Sequence, residues 1–481
     1  MSLLDHVLAG SDRLAVTMGD GSLTYRELKE SALALTNDLS GERAVGLWAS
    51  PETSTVVGLV AALICGAAVV PLNPKSSTSE LEHVLRDSRP SAIIAGGDAQ
   101  LPDAVGRSRC RRVTPKRSPL LNWSWPKPPS DASTAMIMYT SGTTGPPKGV
   151  ILSRGAVQAN LEALAHIWSW DEQDRLIQAL PLFHVHGLIL GILGPLSVGG
   201  SVHHVGAFSV ESVCEALAAG GTMFFGVPTM YHRIGLTLDD DPRTARALSR
   251  ARLLVSGSGP LLASDFERIE QLTGHRVVER YGMTETLIIT SADPRTVVRR
   301  GYVGQSLPAM KVRVIDEEGD DVPADDETIG SVIVRGASLF DGYLNQPGAT
   351  SESFNGSWFT TGDLGVLSED GNLRLVGRAS TDLVKSGGYR IGTGEIEQVL
   401  LEHPEVADVA VTGRPDPDLG ERIVAWVVPQ PGCAPAEDEL IRFVTQRLSA
   451  HKRPREVVLI DELPRNAMGK IQKKMLQGRD S

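Results

Sequence analysis

One short run of the chain gathers glycines, hydroxyl groups and a lysine: Met138-Tyr-Thr-Ser-Gly-Thr-Thr-Gly-Pro-Pro-Lys-Gly-Val150. Glycines let backbone amides approach an anion closely, while hydroxyls and a lysine ammonium donate hydrogen bonds to phosphate oxygens. The run lacks the Gly-Lys-Ser/Thr ending of a Walker A loop, so we predict a phosphate-binding loop of another kind. Its expected contacts are Thr140, Ser141, Gly142, Thr143, Thr144, Gly145 and Lys148.

Further segments with polar side chains follow this loop along the chain. They are Ser256-Gly-Ser-Gly259, Glu279-Arg-Tyr-Gly-Met-Thr-Glu285, Thr361-Gly-Asp-Leu364, Gly377-Arg378, Lys385-Ser-Gly-Gly-Tyr-Arg390 and Pro464-Arg-Asn-Ala-Met-Gly-Lys470. Each has an ordinary structural interpretation when taken alone, because Asp363 suits a turn and Glu285 suits the start of a helix. A lone Gly-Lys pair near residue 470 carries no information. The order of these segments along one chain is the informative feature.

Together these segments resemble the adenylate-forming superfamily, which includes acyl-CoA synthetases, luciferases and nonribosomal peptide adenylation domains. The segments occur in the family's order over essentially the full length of the chain. The resemblance implies an ATP-dependent ligase, which joins a carboxylate to the α-phosphate of ATP, expels pyrophosphate and then forms a thioester with CoA. Because two anions must meet, such a site has to cancel charge in the transition state.

The resemblance also assigns roles to individual positions. Thr284 is expected to contact the α-phosphate, Glu285 to help hold Mg²⁺, and Lys470 to enter the site from a mobile C-terminal domain and promote adenylate formation. The other expected nucleotide contacts are Ser258, Gly259, Glu279, Tyr281, Gly282, Met283, Asp363 and Arg378, with Asp363 at the ribose hydroxyls. The residues expected to line the passage for the pantetheine arm of CoA are Ser386, Gly387 and Gly388.

The acid is indicated by two segments that match the borders of the family's acyl pocket, Pro181-Leu-Phe-His-Val-His-Gly187 and Gly226-Val-Pro-Thr-Met-Tyr-His-Arg-Ile234. They and the neighbouring motif supply the candidate substrate residues His184, His186, Arg233 and Arg280. Cationic side chains at a carboxylate pocket favour a substrate with a second carboxylate, although structural salt bridges are the alternative for both arginines. The overall pattern is similar to bacterial malonyl-CoA synthetases, which implies malonate or methylmalonate as the acid.

Two other functions stay open at this stage. One is a ligase of the same superfamily for a small monocarboxylic or aryl acid, and the other is a non-catalytic nucleotide-binding module. A departure follows Arg378, where Ala379-Ser-Thr-Asp382 is one residue longer than the family pattern, so Ser380 or Thr381 is the expected pivot and no charged hinge residue is assigned. The context of Lys470 also resembles sites that are silenced by lysine acylation, which implies a lysine acyltransferase as a partner.

The elements that position these residues follow from hydrophobic patterning. Short apolar strands alternate with helices from residue 45 onward, for example strands at 45–49, 67–72, 251–256 and 275–279, which predicts parallel sheets covered on both faces. Near residue 300 the strands begin to alternate apolar and polar residues, as half-exposed antiparallel strands do. The resulting fold class is α/β, with a large N-terminal domain at 1–379 that includes a β-rich subdomain at about 300–379, hinged to a small α+β domain at 380–481.

Composition limits the partners. The chain has 481 residues with 47 basic and 58 acidic side chains, a formal net charge of −11 that argues against nucleic acid as the main partner. The longest uncharged apolar run, at residues 55–72, is shorter than a membrane-spanning helix requires, and no secretory signal is recognisable, so a cytoplasmic protein is expected. One basic stretch, which contains Arg107, Arg109, Arg111, Arg112, Lys116 and Arg117, suits a solvated loop or, less well, a surface for the phosphates of a nucleotide-like cosubstrate.

Overall fold

The fold is built on four sheets, as seen in a computed structural model that describes residues 3–107, 110–115, 129–140, 146–465 and 471–477. The first elements in chain order are α1 (Asp5–Ala9), β1 (Leu14–Met18), β2 (Gly21–Thr24), α2 (Tyr25–Leu39), β3 (Ala44–Trp48), α3 (Thr53–Cys65), β4 (Ala68–Leu72), α4 (Thr78–Ser88), β5 (Ala92–Ile94), α5 (Asp103–Arg107), β6 (Arg111–Val113), β7 (Thr134–Thr140) and β8 (Lys148–Ser153). Strands β3 to β7 run parallel in one seven-stranded sheet, and all five residues of β4 are buried, as expected for a strand covered on both faces. Strand β8 returns antiparallel to β7, so the predicted phosphate-binding loop connects two paired strands.

A second, nine-stranded sheet takes most of its strands from the next part of the chain. The elements are α6 (Arg154–Trp168), β9 (Arg175–Gln178), a π-helix (His186–Leu193), α7 (Gly194–Val198), β10 (Ser201–His204), α8 (Val210–Ala218), β11 (Met223–Gly226), α9 (Pro228–Leu238), α10 (Pro242–Leu248), β12 (Leu253–Ser256), α11 (Ala263–Thr273), β13 (Val278–Met283), β14 (Leu287–Ser291) and β15 (Gln305–Ser306). The strand order is β15-β14-β13-β12-β11-β9-β10-β1-β2, with β13 to β1 of this order parallel. From β9 the chain moves to β10 on one side and then to β11 on the other. Ligands of such sheets bind where the order reverses, at the carboxyl ends of the strands.

The remaining elements form two smaller sheets. They are β16 (Met310–Ile315), β17 (Gly330–Gly336), β18 (Gly342–Tyr343), α12 (Pro347–Glu352), β19 (Phe354–Asn355), β20 (Trp358–Leu367), β21 (Leu373–Arg378), β22 (Leu383–Ser386), β23 (Tyr389–Gly392), α13 (Thr393–Leu401), β24 (Val406–Asp416), β25 (Gly420–Pro429), α14 (Glu437–Thr445), a 3₁₀ turn (Ala450–Lys452), β26 (Glu456–Leu459) and α15 (Lys473–Gln477). Strands β16, β17, β19, β20 and β21 pair antiparallel, and β18 joins the seven-stranded sheet beside β8. Strands β22 to β26 form the last sheet, in which only β26 is parallel to its neighbour.

The predicted fold class is confirmed, with local differences at the edges of elements. The strands predicted at 251–256 and 275–279 begin later, at Leu253 and Val278, because the residues before them lie in connections. Arg252 there pairs with the buried Asp174 and donates to the carbonyl of Trp168 at 2.8 Å. The third sheet ends at Arg378 and the fourth begins at Leu383, so the sheets change beside the predicted boundary, while the division into domains stays a prediction.

Two further segments named from the sequence can be placed. The apolar run at 55–72 forms α3 and β4 in the core, and none of the helices described is long and apolar enough to cross a bilayer. In the basic stretch, Arg107 pairs with Glu82 at 2.7 Å and Arg111 with Glu42 at 3.1 Å, whereas Arg109, Lys116 and Arg117 fall outside the described residues. Arg107 ends α5 and Arg111 and Arg112 begin β6, so the predicted loop is wrong for these residues, although their side chains are exposed as in a solvated stretch.

Candidate active site

Three segments converge at the carboxyl edge of the nine-stranded sheet. The loop after β12 holds Gly257, and a Cβ added there would lie 2.3 Å from Cζ of Arg280 on β13, so a larger residue would displace that guanidinium. The same loop holds Gly259, whose added Cβ would lie 3.7 Å from Pro228 at the start of α9. The ends of β11, β12 and β13 therefore bring the Ser256-Gly259 loop, the first turn of α9 and Arg280 together.

Arg280 is a buried cation on β13. Its side chain is 6% exposed, and neither Nε nor Nη2 has a hydrogen-bond partner among the residues that the structure describes. Burial lowers its pKa to about 10, so the group stays charged at neutral pH. A buried, unpaired charge is costly, and native proteins keep one where a ligand supplies the opposite charge. Arg280 is therefore a candidate anion-binding residue, as the sequence predicts.

Other buried polar groups lie at the ends of the neighbouring strands and on the π-helix. His186 is buried with both ring nitrogens unpaired among the described residues, and burial, together with the charges of Arg280 and His184, lowers its pKa well below the ordinary value. Burial also lowers the pKa of His184 to about 4. Oγ of Ser256 and Oε1 of Gln178 are likewise buried without partners there. The cluster thus offers one positive charge and several uncharged hydrogen-bonding groups.

Sequence reasoning did not select Ser256 and Gln178, whose buried oxygens lack partners among the described residues. Gln178 is the last residue of β9 and Ser256 the last of β12, both strands being buried. A polar residue at the carboxyl end of a buried parallel strand is the signal that would have found them, because that edge faces the ligand.

Arg233, the second predicted arginine, lies on a different kind of surface. Helix α9 buries Tyr231, Ile234, Gly235 and Leu238, and this periodicity turns Arg233 toward solvent, where its side chain is exposed. The structure therefore does not bury Arg233 beside Arg280, and its predicted contact with the acid remains a prediction. The neighbouring His232 pairs with Asp265 at 3.1 Å.

The predicted ribose residues form one hydrogen-bonded group. Asp363 on β20 and Arg378 on β21 are direct cross-strand partners, and Nε of Arg378 lies 2.9 Å from Oδ1 of Asp363. The hydroxyl of Tyr281 donates to Oδ2 of Asp363 at 2.5 Å, and Nη1 of Arg378 donates to the carbonyl of Thr361 at 2.8 Å. These contacts fix the position of the Asp363 carboxylate, and its contact with the ribose hydroxyls stays a prediction.

The base of the phosphate-binding loop meets the segment around Glu285. Thr140 and Lys148 are the last paired residues of the β7–β8 hairpin, and Ser141, Gly142, Thr143, Thr144 and Gly145 fall outside the described residues. Nζ of Lys148 lies 4.9 Å from the ring centre of Tyr343, whose hydroxyl donates to Oε1 of Glu285 at 2.9 Å. Tyr343, which sequence reasoning did not select, therefore bridges the loop base and Glu285 beside Thr284.

The described residues contain no group of three or more His, Cys, Asp and Glu side chains that could hold a metal ion. Mg²⁺ commonly keeps its waters and binds through one or two carboxylates together with substrate phosphates. The residues present fit a magnesium ion that arrives with a nucleotide and do not form a metal cage of their own.

Glu279 lies beneath two loops and holds them together. Its carboxylate accepts the amides of Leu261 at 3.3 Å and Gly301 at 3.2 Å, and burial raises its pKa to about 7. In the adjoining motif only glycine fits at position 282, because an added Cβ would lie 2.0 Å from the carbonyl oxygen of Leu287. The placement makes Glu279 a support for the Ser258-Gly259 side of the site, and direct contact with the nucleotide stays a prediction.

The residues predicted for CoA lie elsewhere. Ser386, Gly387 and Gly388 form the turn between β22 and β23, and the glycines take φ angles of 58° and 82° that favour glycine. Beside this turn Lys385 pairs with Glu317, at 3.7 Å, so the turn faces the antiparallel sheet. The structure does not bring this turn together with Arg280 and Asp363. Lys470 falls outside the described residues.

The chain belongs to the family of AMP-binding enzymes. The pattern of the family described as AMP-binding enzyme matches residues 5–344, and that of the AMP-binding enzyme C-terminal domain matches residues 395–470. The human protein named malonate–CoA ligase ACSF3, mitochondrial, is 35% identical over 98% of this chain and 90% of its own length. The predicted superfamily membership is thereby confirmed.

Two solved structures resemble the whole chain. A malonyl-CoA ligase in a ternary product complex with methylmalonyl-CoA and AMP is 51% identical, with 96% of this chain and 99% of the other covered and a TM-score of 0.75. ATP-bound MatB from Rhodopseudomonas palustris is 31% identical, with 99% and 98% covered and a TM-score of 0.87. Both are similar to this chain over nearly its full length.

Proposed function

We propose that this chain is an ATP-dependent acid–thiol ligase that converts malonate or methylmalonate and CoA to the acyl-CoA, with release of AMP and pyrophosphate. The observation that carries the choice of acid is Arg280, a buried guanidinium without described partners beside neutral His186 and Ser256. The similarity to malonate–CoA and malonyl-CoA ligases supports the same choice. The reaction proceeds through an acyl-adenylate.

The acid pocket selects by charge. The non-reacting carboxylate of malonate accepts hydrogen bonds from the Arg280 fork, which leaves the second carboxylate free to attack the α-phosphate. His186 and Ser256 add hydrogen bonds without a further charge. A monocarboxylic acid of similar size would leave the guanidinium buried and unpaired, which costs about 3–5 kcal/mol in proteins. The pocket therefore favours a dicarboxylic acid over acetate or benzoate.

The nucleotide binds across the neighbouring strand ends. Asp363 holds the ribose hydroxyls, Thr284 donates to the α-phosphate and the loop from Thr140 to Lys148 surrounds the outer phosphates. Glu285 would hold Mg²⁺, which would supply positive charge to the phosphates of bound ATP. The ammonium groups of Lys148 and of Lys470, the latter from the C-terminal domain, offset the charge that builds up as the two anions react.

The second half-reaction uses another face of the C-terminal domain. The Ser386-Gly-Gly388 turn approaches the site and lets the pantetheine thiol reach the adenylate. The turn faces Glu317 in this structure, which fits the orientation for the first half-reaction. The higher TM-score against the ATP-bound structure than against the CoA product complex, despite lower sequence identity, supports that orientation. A cytoplasmic location and acylation of Lys470 belong to the same proposal on the strength of the sequence alone.

The experiment that tests the function is pyrophosphate release across a panel of acids with ATP, Mg²⁺ and the purified chain. Malonate or methylmalonate should give the highest kcat/KM, and acetate and benzoate should trail by about a hundredfold or more, as the unpaired charge of Arg280 requires. Adding CoA should yield the corresponding thioester. A clear lead for a monocarboxylic or aryl acid would overturn the choice of acid, and no release with any acid would favour a non-catalytic nucleotide-binding module.

A further inference from the structure

Lys473, the first residue of α15, is a nearly buried lysine that the functions above leave unexplained. Its side chain is 11% exposed, and Nζ lies 2.6 Å from Oδ1 of Asp382, 2.7 Å from Oε1 of Glu397 and 2.8 Å from Oγ1 of Thr393. An ammonium group has three protons to donate, so these three contacts satisfy it completely. Lys473 thus ties the last described helix to α13 and to the turn before β22.

The partners of Lys473 lead to the nucleotide side of the molecule. Oδ2 of Asp382 accepts the backbone amide of Arg378 at 2.8 Å, and a Cβ added at Gly377 would lie 2.4 Å from Cβ of Asp382. Arg378 in turn pairs with Asp363. A continuous series of charged and hydrogen-bonded groups therefore runs from the ribose-side carboxylate, through the turn at 379–382, to Lys473. Asp382 is also the charged residue at this turn that the sequence pattern did not assign.

Other contacts fasten the same end of the chain. Arg465 and Ile471 form an antiparallel bridge, and the amide of Gln472 donates to the carbonyl of Pro464 at 2.7 Å. Arg465 also pairs with Asp408 on β24. These contacts close the base of the connection that carries Lys470, and Lys473 lies three residues beyond it. One side of that base is held by Arg465 and the other by Lys473.

We propose that Lys473 is a positioning residue, which anchors the base of the Lys470-bearing connection to the turn at 379–382 and to α13 and so makes adenylate formation efficient. The proposal rests on the proposed function for its catalytic consequence. The anchor itself rests on the contacts of Lys473. Burial lowers the pKa of Lys473, but the charges of Glu397 and Asp382 outweigh this effect and hold the pKa above its ordinary value, so the anchor persists through the neutral range.

The test compares Lys473→Met with Lys473→Arg and with Lys474→Met, a matched control because Lys474 is the exposed neighbour on the same helix. Hydrogen exchange in the full-length protein should show faster exchange at the amide of Gln472, by about tenfold or more, in Lys473→Met only. The rate of adenylate formation should fall by about a hundredfold, because a misplacement near 1 Å of a reacting group has that effect. Thioester formation from supplied acyl-adenylate should change by less than about threefold, and Lys473→Arg should restore most of the first half-reaction.

Loss of Lys473 leaves two carboxylates facing each other, so the double variant Lys473→Met/Glu397→Gln accompanies the single one to relieve that repulsion. Glutamine keeps an acceptor for the amide of Val411, which Glu397 binds at 2.7 Å. Unchanged exchange at Gln472 in folded Lys473→Met would overturn the proposal, and so would parallel loss of both half-reactions. If the wild-type chain adenylated no acid, the proposed function would fail, while the exchange measurement would still decide whether Lys473 is the anchor.

Discussion

Replacing Arg280 with methionine tests the charge on which the proposed choice of acid depends. Methionine keeps a long, flexible side chain against Gly257 and removes the guanidinium. Because Nε and Nη2 of Arg280 have no partners in the described part of the chain, the replacement takes no hydrogen-bond partner away from a carboxylate there. The variant should therefore fold, and its Tm should equal or exceed that of the wild type, since an unpaired buried charge is removed.

The expected effect on catalysis is large and specific to the acid. Malonate would have to bury its second carboxylate without a partner, which costs about 3–5 kcal/mol. At roughly 1.4 kcal/mol for each factor of ten, kcat/KM for malonate should fall by about a hundredfold to several thousandfold. Acetate has no second carboxylate, so its kcat/KM should stay the same or rise when the unpaired cation is gone.

The assay is pyrophosphate release at saturating ATP, with kcat/KM measured for malonate and for acetate on the wild type, on Arg280→Met and on Arg280→Lys. Lysine keeps a charge but loses the planar fork, so its malonate activity should lie between the other two. Thermal unfolding of each variant controls for folding. Equal losses for malonate and acetate would refute the reasoning, as would a malonate preference that survives in Arg280→Met.

Three further predictions concern other residues. Arg233→Ala should lower kcat/KM for malonate about tenfold or more if the exposed guanidinium closes on the acid, and an unchanged value would remove Arg233 from the site. Tyr343→Phe removes the hydroxyl bound to Glu285 and should reduce the rate of adenylate formation by about twofold to tenfold. The rate is measured at several Mg²⁺ concentrations. A loss that is the same at every concentration would argue against a role of Tyr343 through the ion. Glu279 has its pKa raised by burial to about 7, above the ordinary 4.5, so the folded state holds a proton that the unfolded state has lost between these values. The contribution of Glu279 to the free energy of unfolding is therefore complete below pH 4.5 and falls by about 3 kcal/mol as the pH rises to 7. The Glu279→Gln variant should lack this fall. Denaturant titrations of both proteins at several pH values measure it.

Much of this arrangement follows from local sequence. Buried parallel strands such as β4 are continuous apolar runs, and the Tyr281-Gly-Met283 segment has a glycine where the neighbouring strand leaves no room for a Cβ. The cross-strand pairing of Asp363 with Arg378 could be expected because only a hairpin separates them. These features depend on interactions between neighbours in the chain, and a single sequence contains that information.

Other residues could not be selected, because their roles depend on partners far away in the chain. Tyr343 lies 58 positions from the Glu285 carboxylate that it binds, and Lys473 lies 91 positions from Asp382. No local pattern distinguishes them from ordinary surface residues. Arg233 shows a different difficulty, since its position on α9 depends on which face of the helix is buried, and the motif around it does not define that face.

The adjacency of Arg280 and Tyr281 in β13 has a consequence for the evolution of the pocket. Successive side chains of a strand point to opposite sides, so Arg280 faces the acid cluster while Tyr281 faces Asp363. One strand thereby forms the partition between the two substrates of the proposed reaction. A substitution at position 280 can change which acid is preferred without disturbing the nucleotide site. An insertion or deletion of one residue before position 280 would exchange the two faces of the strand and abolish both sites together. We therefore expect β13 to vary by substitution on one face at a time and not by insertion or deletion.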